Sequence, residues 1–189
     1  RFQYNNSLRD LFGIRTDVFE LSEKMMTRWD NYLSSADQKI PDVVRASAKN
    51  PAKGFREVRP FPKDLRAAHG FDNQSDQLTL SPLLLDTFLK LSVSILQSPD
   101  FNDKTVGIWK EFFAEPKNPA DLEKEIRDRL NPFLRLAFRS AVEKEVEDRY
   151  VRYAHAQVKS EESFTTGMKK VASAILSSPL FLFRHETVV

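Results

Sequence analysis

From Pro82 onward, apolar residues recur every three to four positions, the spacing of one face of an α-helix. Ser81-Pro82 has the form of a helix start. A serine hydroxyl caps free backbone N–H groups, and proline suits the first helical position, where its missing N–H costs nothing. The helix predicted after it, about 82–97, is apolar nearly all round (Leu83, Leu84, Leu85, Phe88, Leu89, Leu91), so a central position is expected. A short helix over 104–114 presents Val106, Ile108, Trp109, Phe112 and Phe113. Asn118-Pro119 repeats the cap-then-proline signal, and the stripe behind it is Leu122, Ile126, Leu130, Phe133 and Ala137. Pro132 inside that stripe predicts a kink, or a restart at Asn131. Residues 142–158 place Val142, Val146, Tyr150, Tyr153 and Gln157 in register. Ser160 is read as the cap of a last long helix, with Glu161 and Glu162 in its first turn, where the helix dipole favours acids. Its buried face is Phe164, Met168, Val171, Ala172, Ile175 and Leu176, and Pro179 ends or restarts it.

The N-terminal third is less regular. Tyr4, Leu8, Leu11 and Phe12 predict a helix over 3–12, ended by a left-handed cap at Gly13. Residues 17–33 fit a helix only loosely. Residues 34–68 carry Pro41, Pro51, Pro60 and Pro62 with Gly54, and read as a long irregular excursion with a short strand at Val43-Val44. Loops beyond about 12–15 residues are uncommon unless they carry function or are disordered. One internal echo stands out: Ile95-Leu96-Gln97-Ser98-Pro99-Asp100-Phe101 and Ile175-Leu176-Ser177-Ser178-Pro179-Leu180-Phe181 are two helix exits of one form. The expectation is an all-α fold: six or seven helices around one core, with 34–68 laid across it. The 189 residues suit a single helical module over 1–189, divisible into an N-terminal submodule, 1–101, and a C-terminal one, 102–189, that share the core.

Composition narrows the function classes. Hydrophobic residues make up 41% and charged residues 30%, which is enough apolar material for a folded globule. No apolar run reaches the ~18 residues of a membrane span. There is no cysteine, so thiol catalysis, disulfides, thiolate metal sites and covalent haem attachment are excluded within this segment. The net charge of +2 is too small to imply nucleic acid. The charge is uneven, however: residues 39–68 hold eight Lys/Arg against three acids. That stretch reads as a solvated loop, with contact to an anionic surface as the alternative.

No catalytic constellation is legible. His69, His155 and His185 are far apart and in no metal spacing, no G-x-S-x-G elbow is present, and five glycines leave little for a phosphate loop. Asp72, Gln74 and Asp76 alternate as in a calcium loop, but the glycine and distal glutamate of an EF-hand are missing. A turn leading into the Ser81 helix is the simpler reading. Arg9, Asp10, Arg139 and Arg184 lie beside strongly apolar residues. Their structural reading is ion pairing or capping at the core edge, and their functional reading is an anion pocket built on Arg9 and Arg184. Arg9, Asp10, Asp72, Asn73, Arg139 and Arg184 form the candidate polar cluster. No cofactor or metal is expected within this segment.

Several segments in order carry a resemblance. They are Tyr4-Asn5-Asn6-Ser7-Leu8-Arg9-Asp10-Leu11, Phe61-Pro62-Lys63-Asp64-Leu65-Arg66, and Gly70-Phe71-Asp72-Asn73 with Leu80-Ser81-Pro82-Leu83-Leu84. Phe133-Leu134 with Ala137-Phe138-Arg139 and the run from Ser178 to Arg184 with Glu186 follow. Together, from about Phe2 to Glu186, they resemble the domain-of-unknown-function modules of large exported planctomycete-type multidomain proteins, which often carry a cytochrome c-like segment. Relatives tend to have Arg-Pro after the Phe-Arg pair, where this chain has Ser140-Ala141. The resemblance implies an exported, multidomain parent and supplies no reaction. Any haem would lie elsewhere in that parent, since its attachment site needs cysteines. The start at Arg1 and the stop at Val189, just after Leu180–Phe183, fit a piece of a longer protein.

The function expected is therefore a non-catalytic helical module that scaffolds or docks neighbouring domains, or an extracellular ligand. It should show an exposed apolar patch near Leu180–Phe183 and no deep polar pocket. That run itself reads as packed in this core or against the domain that follows in the parent chain, with membrane binding as the alternative. The leading rival is part of an oxidative or hydrolytic enzyme acting on extracellular polymers, with 34–68 as a lid. That reading expects a concave site where Arg9-Asp10 meets Asp72-Asn73. A third reading is binding of acidic polysaccharide through 39–68.

Overall fold

Leu8, Leu11 and Phe12 recur on one face of Phe2–Phe12 (α1), and all three are buried. Gly13 stops the helix at φ 66°, ψ 33°, with its N–H donating to the Arg9 carbonyl. Glycine is needed there twice over: the left-handed conformation disfavours a side chain, and a Cβ would meet Gly107 Cα at 3.1 Å. The computed structural model describes residues 1–21, 26–28, 46–48, 53–61, 82–116, 121–161 and 163–183. Within them the fold is all-α, a bundle of seven helical elements. A small antiparallel ribbon also pairs Met26–Arg28 (β1) with Ala46–Ala48 (β2), Thr27 opposite Ser47. The strand expected at Val43-Val44 lies outside the described residues. Of residues 17–33, ambiguous from their spacing, 17–21 is irregular and 26–28 is a strand.

The C-terminal helices pack as consecutive hairpins. Leu122–Phe138 (α3) is capped by Asp121, whose carboxylate accepts from Lys124 N at 3.1 Å. The Asn118-Pro119 start lies outside the described residues. The helix runs through Pro132 without the expected restart at Asn131. The carbonyl deprived of a donor is that of Asp128, on the exposed side, where the loss is cheapest. The helix ends at Phe138 with Arg139 in the left-handed region, φ 54°, so the break occurs without the Arg-Pro of the resembled modules. Lys144–Ser160 (α4) turns back along it. Arg127 bridges to Asp148 at 2.6 Å and Glu147 at 3.2 Å, and Asn131 donates to Glu147 at 2.7 Å. Tyr150, Val151 and Ala154 face inward, while Tyr153 is 38% exposed, a correction to the expected stripe.

Phe164–Leu176 (α5) buries all six residues of its expected face. Its cap is Ser163, which accepts from Thr166 N at 3.1 Å; Ser160 instead closes α4. Gly167 lets the two helices touch, since a Cβ there would stand 2.7 Å from Val158 Cα. Pro179 restarts the chain as Pro179–Leu182 (α6), capped by Ser178.

Pro82–Gln97 (α2) lies against α5, the two running in opposite directions: Ser92 meets Ser173 and Ser177, whereas Phe101 beyond the helix end meets Lys169. The buried Ser92 hydroxyl lies 3.1 Å from the Ser173 carbonyl and 2.9 Å from Ser177 Oγ, so a polar group in the core is satisfied. The expected all-round burial of α2 fails at Leu89, which is 46% exposed. The sequence echo is a structural one too. In the first copy Ser98 N bonds to Ile95 O, Phe101 N bonds to Ser98 O, and Ser98 Oγ accepts from Asp100 N. In the second, Ser178 repeats all three bonds with Ile175, Phe181 and Leu180. Ile95, Leu96, Phe101, Ile175, Leu176 and Phe181 are all buried.

Residues 104–114 are corrected in kind. Their helical part is a π turn, Trp109–Phe113, closed by Ala114 N donating to Trp109 O at 2.9 Å. Its phenylalanines join an aromatic core in which Phe112 stacks near Phe133 (4.2 Å between centroids) and Phe113 meets Phe101 edge-on (5.3 Å). Residues 53–61 cross the core as expected, burying Phe55, Val58 and Phe61. They are held by Phe55 N to Val18 O, Ser98 Oγ to Arg56 O, and the Arg56–Asp100 pair at 2.9 Å.

Candidate functional site

Two adjoining cavities open between α1 and α3, one extending to the π turn and the other to α6. The smaller, about 200 Å³, is walled by Ser7 and Asp10 of α1, Leu136 and Ala137 of α3, Arg139 and Phe181. The larger, about 460 Å³, has an apolar floor of Ile108, Phe112, Pro132 and Phe133, with Lys110, Glu111, Glu125, Asp128 and Arg129 around it. Leu11 and Leu136 line both, so these two side chains divide one trough into two compartments. Leu11 is buried, whereas Leu136 stands 59% exposed. Its position follows from helical spacing: the core stripe of α3 takes 126, 130, 133 and 137, and 136 falls beside it.

The charges around the trough differ in availability. Arg129 is only 11% exposed and fully engaged. It holds Glu125 at 2.6 Å, donates to the carbonyls of Ala114 (2.6 Å) and Phe112 (3.3 Å), and lies 4.7 Å from the Phe164 ring centroid. Its guanidinium thus serves the carbonyls that the π turn leaves open. Glu111 and Asp128 have no ion-pair partner among the described residues. Pro132 has no N–H for the Asp128 carbonyl, and both residues line the larger compartment. At the other end Arg139 donates to Ser7 Oγ at 2.7 Å and lies 5.9 Å from the Phe181 ring centroid.

Asp10 and Arg139, two residues of the candidate cluster, therefore share the wall of one compartment. Arg9 lines neither. It pairs with Asp17 at 3.7 Å and reaches the Arg15 carbonyl, alongside Asn5, whose amide donates to Asp17 and whose oxygen accepts from Val18 N. This fastens residues 15–18 to α1. Asp72, Asn73 and Arg184 lie outside the described residues, as do the turn at 70–76, His69 and His185. Among the described residues no group of three or more His, Asp or Glu side chains could hold a metal ion. No helix among them is long and apolar enough to cross a membrane.

The expected apolar patch at Leu180–Phe183 is corrected: Phe181 is buried and its neighbours are half-buried. Phe181 packs edge-on to Tyr4 at 6.0 Å, within a cluster that also holds Phe19, Phe61 and Phe88. Burial pushes the Tyr4 phenol well above its ordinary pKa, and its oxygen has no hydrogen-bond partner among the described residues. A second half-buried group, Lys169, donates to Phe101 O at 3.1 Å and sits 5.4 Å from the Phe101 and Trp109 centroids. Burial draws its pKa below the ordinary lysine value. Sequence reasoning missed Ser7, Lys110, Glu111, Asp128, Arg129 and Leu136. Only Leu136 carried a signal, as an apolar residue off the buried stripe.

Two family models match the chain. Residues 125–186, which contain most of α3 through α6, match PSD5, described as a protein of unknown function (DUF1595). Residues 53–98, which contain the crossing segment and α2, match PSD3, a protein of unknown function (DUF1587). The chain thus carries two segments similar to domains of unknown function. No curated protein and no solved structure matches it.

Proposed function

We propose that this chain is a non-catalytic helical docking module within an exported multidomain protein, one that carries any haem in another segment. The observation behind this reading is the divided trough. An isolated exposed leucine is ordinary on a protein surface. Leu136 is instead the shared wall of two concave compartments with a largely apolar lining, the form of a surface that receives side chains from a partner. A neighbouring domain of the parent chain is the natural source of that partner. The enzyme reading keeps one support, the meeting of Asp10 and Arg139 on one wall, where Arg139 also donates to Ser7.

The test uses a fluorescein-labelled synthetic helix with leucines at i and i+4 and glutamine on its other faces. Its binding is read by anisotropy to the native chain and to Leu136→Asp. The expected result is saturable binding that the variant weakens by roughly tenfold, the equivalent of ~1.4 kcal/mol, with an unchanged melting temperature. Equal binding to both proteins, or none to either, would remove the docking reading.

A further inference from the structure

We infer that the occupant of the trough is a helical polypeptide segment with Lys or Arg beside its apolar anchors. The inference rests on the docking reading above and adds the chemistry of the partner. The walls come from α1, α3, α6 and the π turn, so no strand edge among the described residues is offered in the trough and β-strand addition is not its mode. Side chains entering two compartments on either side of one divider are what a helix supplies from positions about one turn apart.

The charge follows from which groups are already spent. At the larger compartment Arg129 is occupied by Glu125 and two carbonyls, so its guanidinium is not open to an anion without breaking those contacts, while Arg139, at the smaller one, spends one N–H on Ser7. The acceptors, by contrast, are open. The Glu111 and Asp128 carboxylates lie at the larger compartment without ion-pair partners among the described residues. The Asp128 carbonyl lacks the helical N–H that Pro132 cannot give. Against them stands one exposed amine, Lys110. A segment arriving at the larger compartment thus meets two unpaired carboxylates against one amine, a set that favours a cationic donor.

Three labelled helices with the same leucine anchors and with lysine, glutamine or glutamate in the flanking positions test this by anisotropy at low and high salt. The lysine helix should bind about five- to tenfold tighter than the glutamate helix at low salt, as two exposed charge contacts allow, and added salt should shrink the gap. The double variant Glu111→Gln, Asp128→Asn should close the gap to about twofold, chiefly by weakening the lysine helix. Equal binding of all three helices, or preference for glutamate, would overturn the cationic occupant and leave the docking reading standing. A short amine such as phenethylamine binding as tightly as the lysine helix would overturn the helical occupant. No binding by any helix would bring down the docking reading itself.

Discussion

Replacing Arg129 by lysine keeps the charge and removes the fork. The guanidinium serves Glu125 Oε1, the Ala114 carbonyl and the Phe112 carbonyl at once, and lies over Phe164. An ammonium on a shorter reach holds at most one of the two carbonyls together with Glu125, leaving the other without a donor beneath the π turn. An unsatisfied buried carbonyl costs about 1–3 kcal/mol, and loss of the contact over Phe164 adds roughly 0.5–1 kcal/mol. The exposed part of the i,i+4 pair with Glu125 contributes only a few tenths. Arg129→Lys should therefore lose about 2–4 kcal/mol, and Arg129→Met somewhat more, since both carbonyls are then open. Urea unfolding followed by helical circular dichroism gives the global value. Fluorescence of Trp109, in a Trp29→Phe background, reports on the π turn itself. The midpoint should fall with little change in slope. A lysine variant within about 0.5 kcal/mol of the native protein would show that the turn does not depend on this side chain.

Three further outcomes are expected. Gly167→Ala should destabilise by roughly 1–3 kcal/mol in spite of alanine's better helix propensity, because the new Cβ would stand 2.7 Å from Val158 Cα and 2.8 Å from its N; a raised melting temperature would contradict it. Tyr4→Phe should hold or raise stability, by up to about 1 kcal/mol, because it deletes a buried hydroxyl without a partner among the described residues; a clear loss in calorimetry would show that the hydroxyl is bonded. Asp100 is held below the ordinary carboxylate pKa by hydrogen bonds from the Arg56 side chain and N–H. Its contribution is then fully present above the unfolded-state value of about 4 and is lost as pH falls through the lower folded value. Asp100→Asn should flatten that acid limb, and an unchanged stability–pH curve would rule the contribution out.

What was legible in the chain is what local periodicity controls. All six residues of the α5 face, both ends of α2, the Gly13 cap and the Pro179 restart follow from apolar spacing and cap chemistry alone. The errors arise where two local choices are nearly equal. Ser160 and Ser163 are both good caps, and the closer packing of α4 on α5 through Gly167 accompanies the later one. On α4, Val151 and Ala154 compete with Tyr153 for the inner face, and the smaller side chains are the ones inside. The π turn was out of reach because its open carbonyls are served by Arg129, fifteen or more residues away in sequence. The trough was hidden for a related reason: α1, the π turn and α3 are each ordinary, and only their meeting places Leu11 and Leu136 as a divider. Asp10 and Arg139 were singled out as charges beside apolar runs, which told of a core edge and not of which cavity they would share.

Backbone amide shift mapping with the lysine-flanked helix addresses the docking account most directly. The expected perturbations centre on Leu11, Lys110, Glu111, Asp128 and Leu136, and leave the exposed Leu89 and Tyr153 unaffected. Shifts gathered on Leu89 or Tyr153, or a spectrum unmoved at millimolar helix, would contradict it.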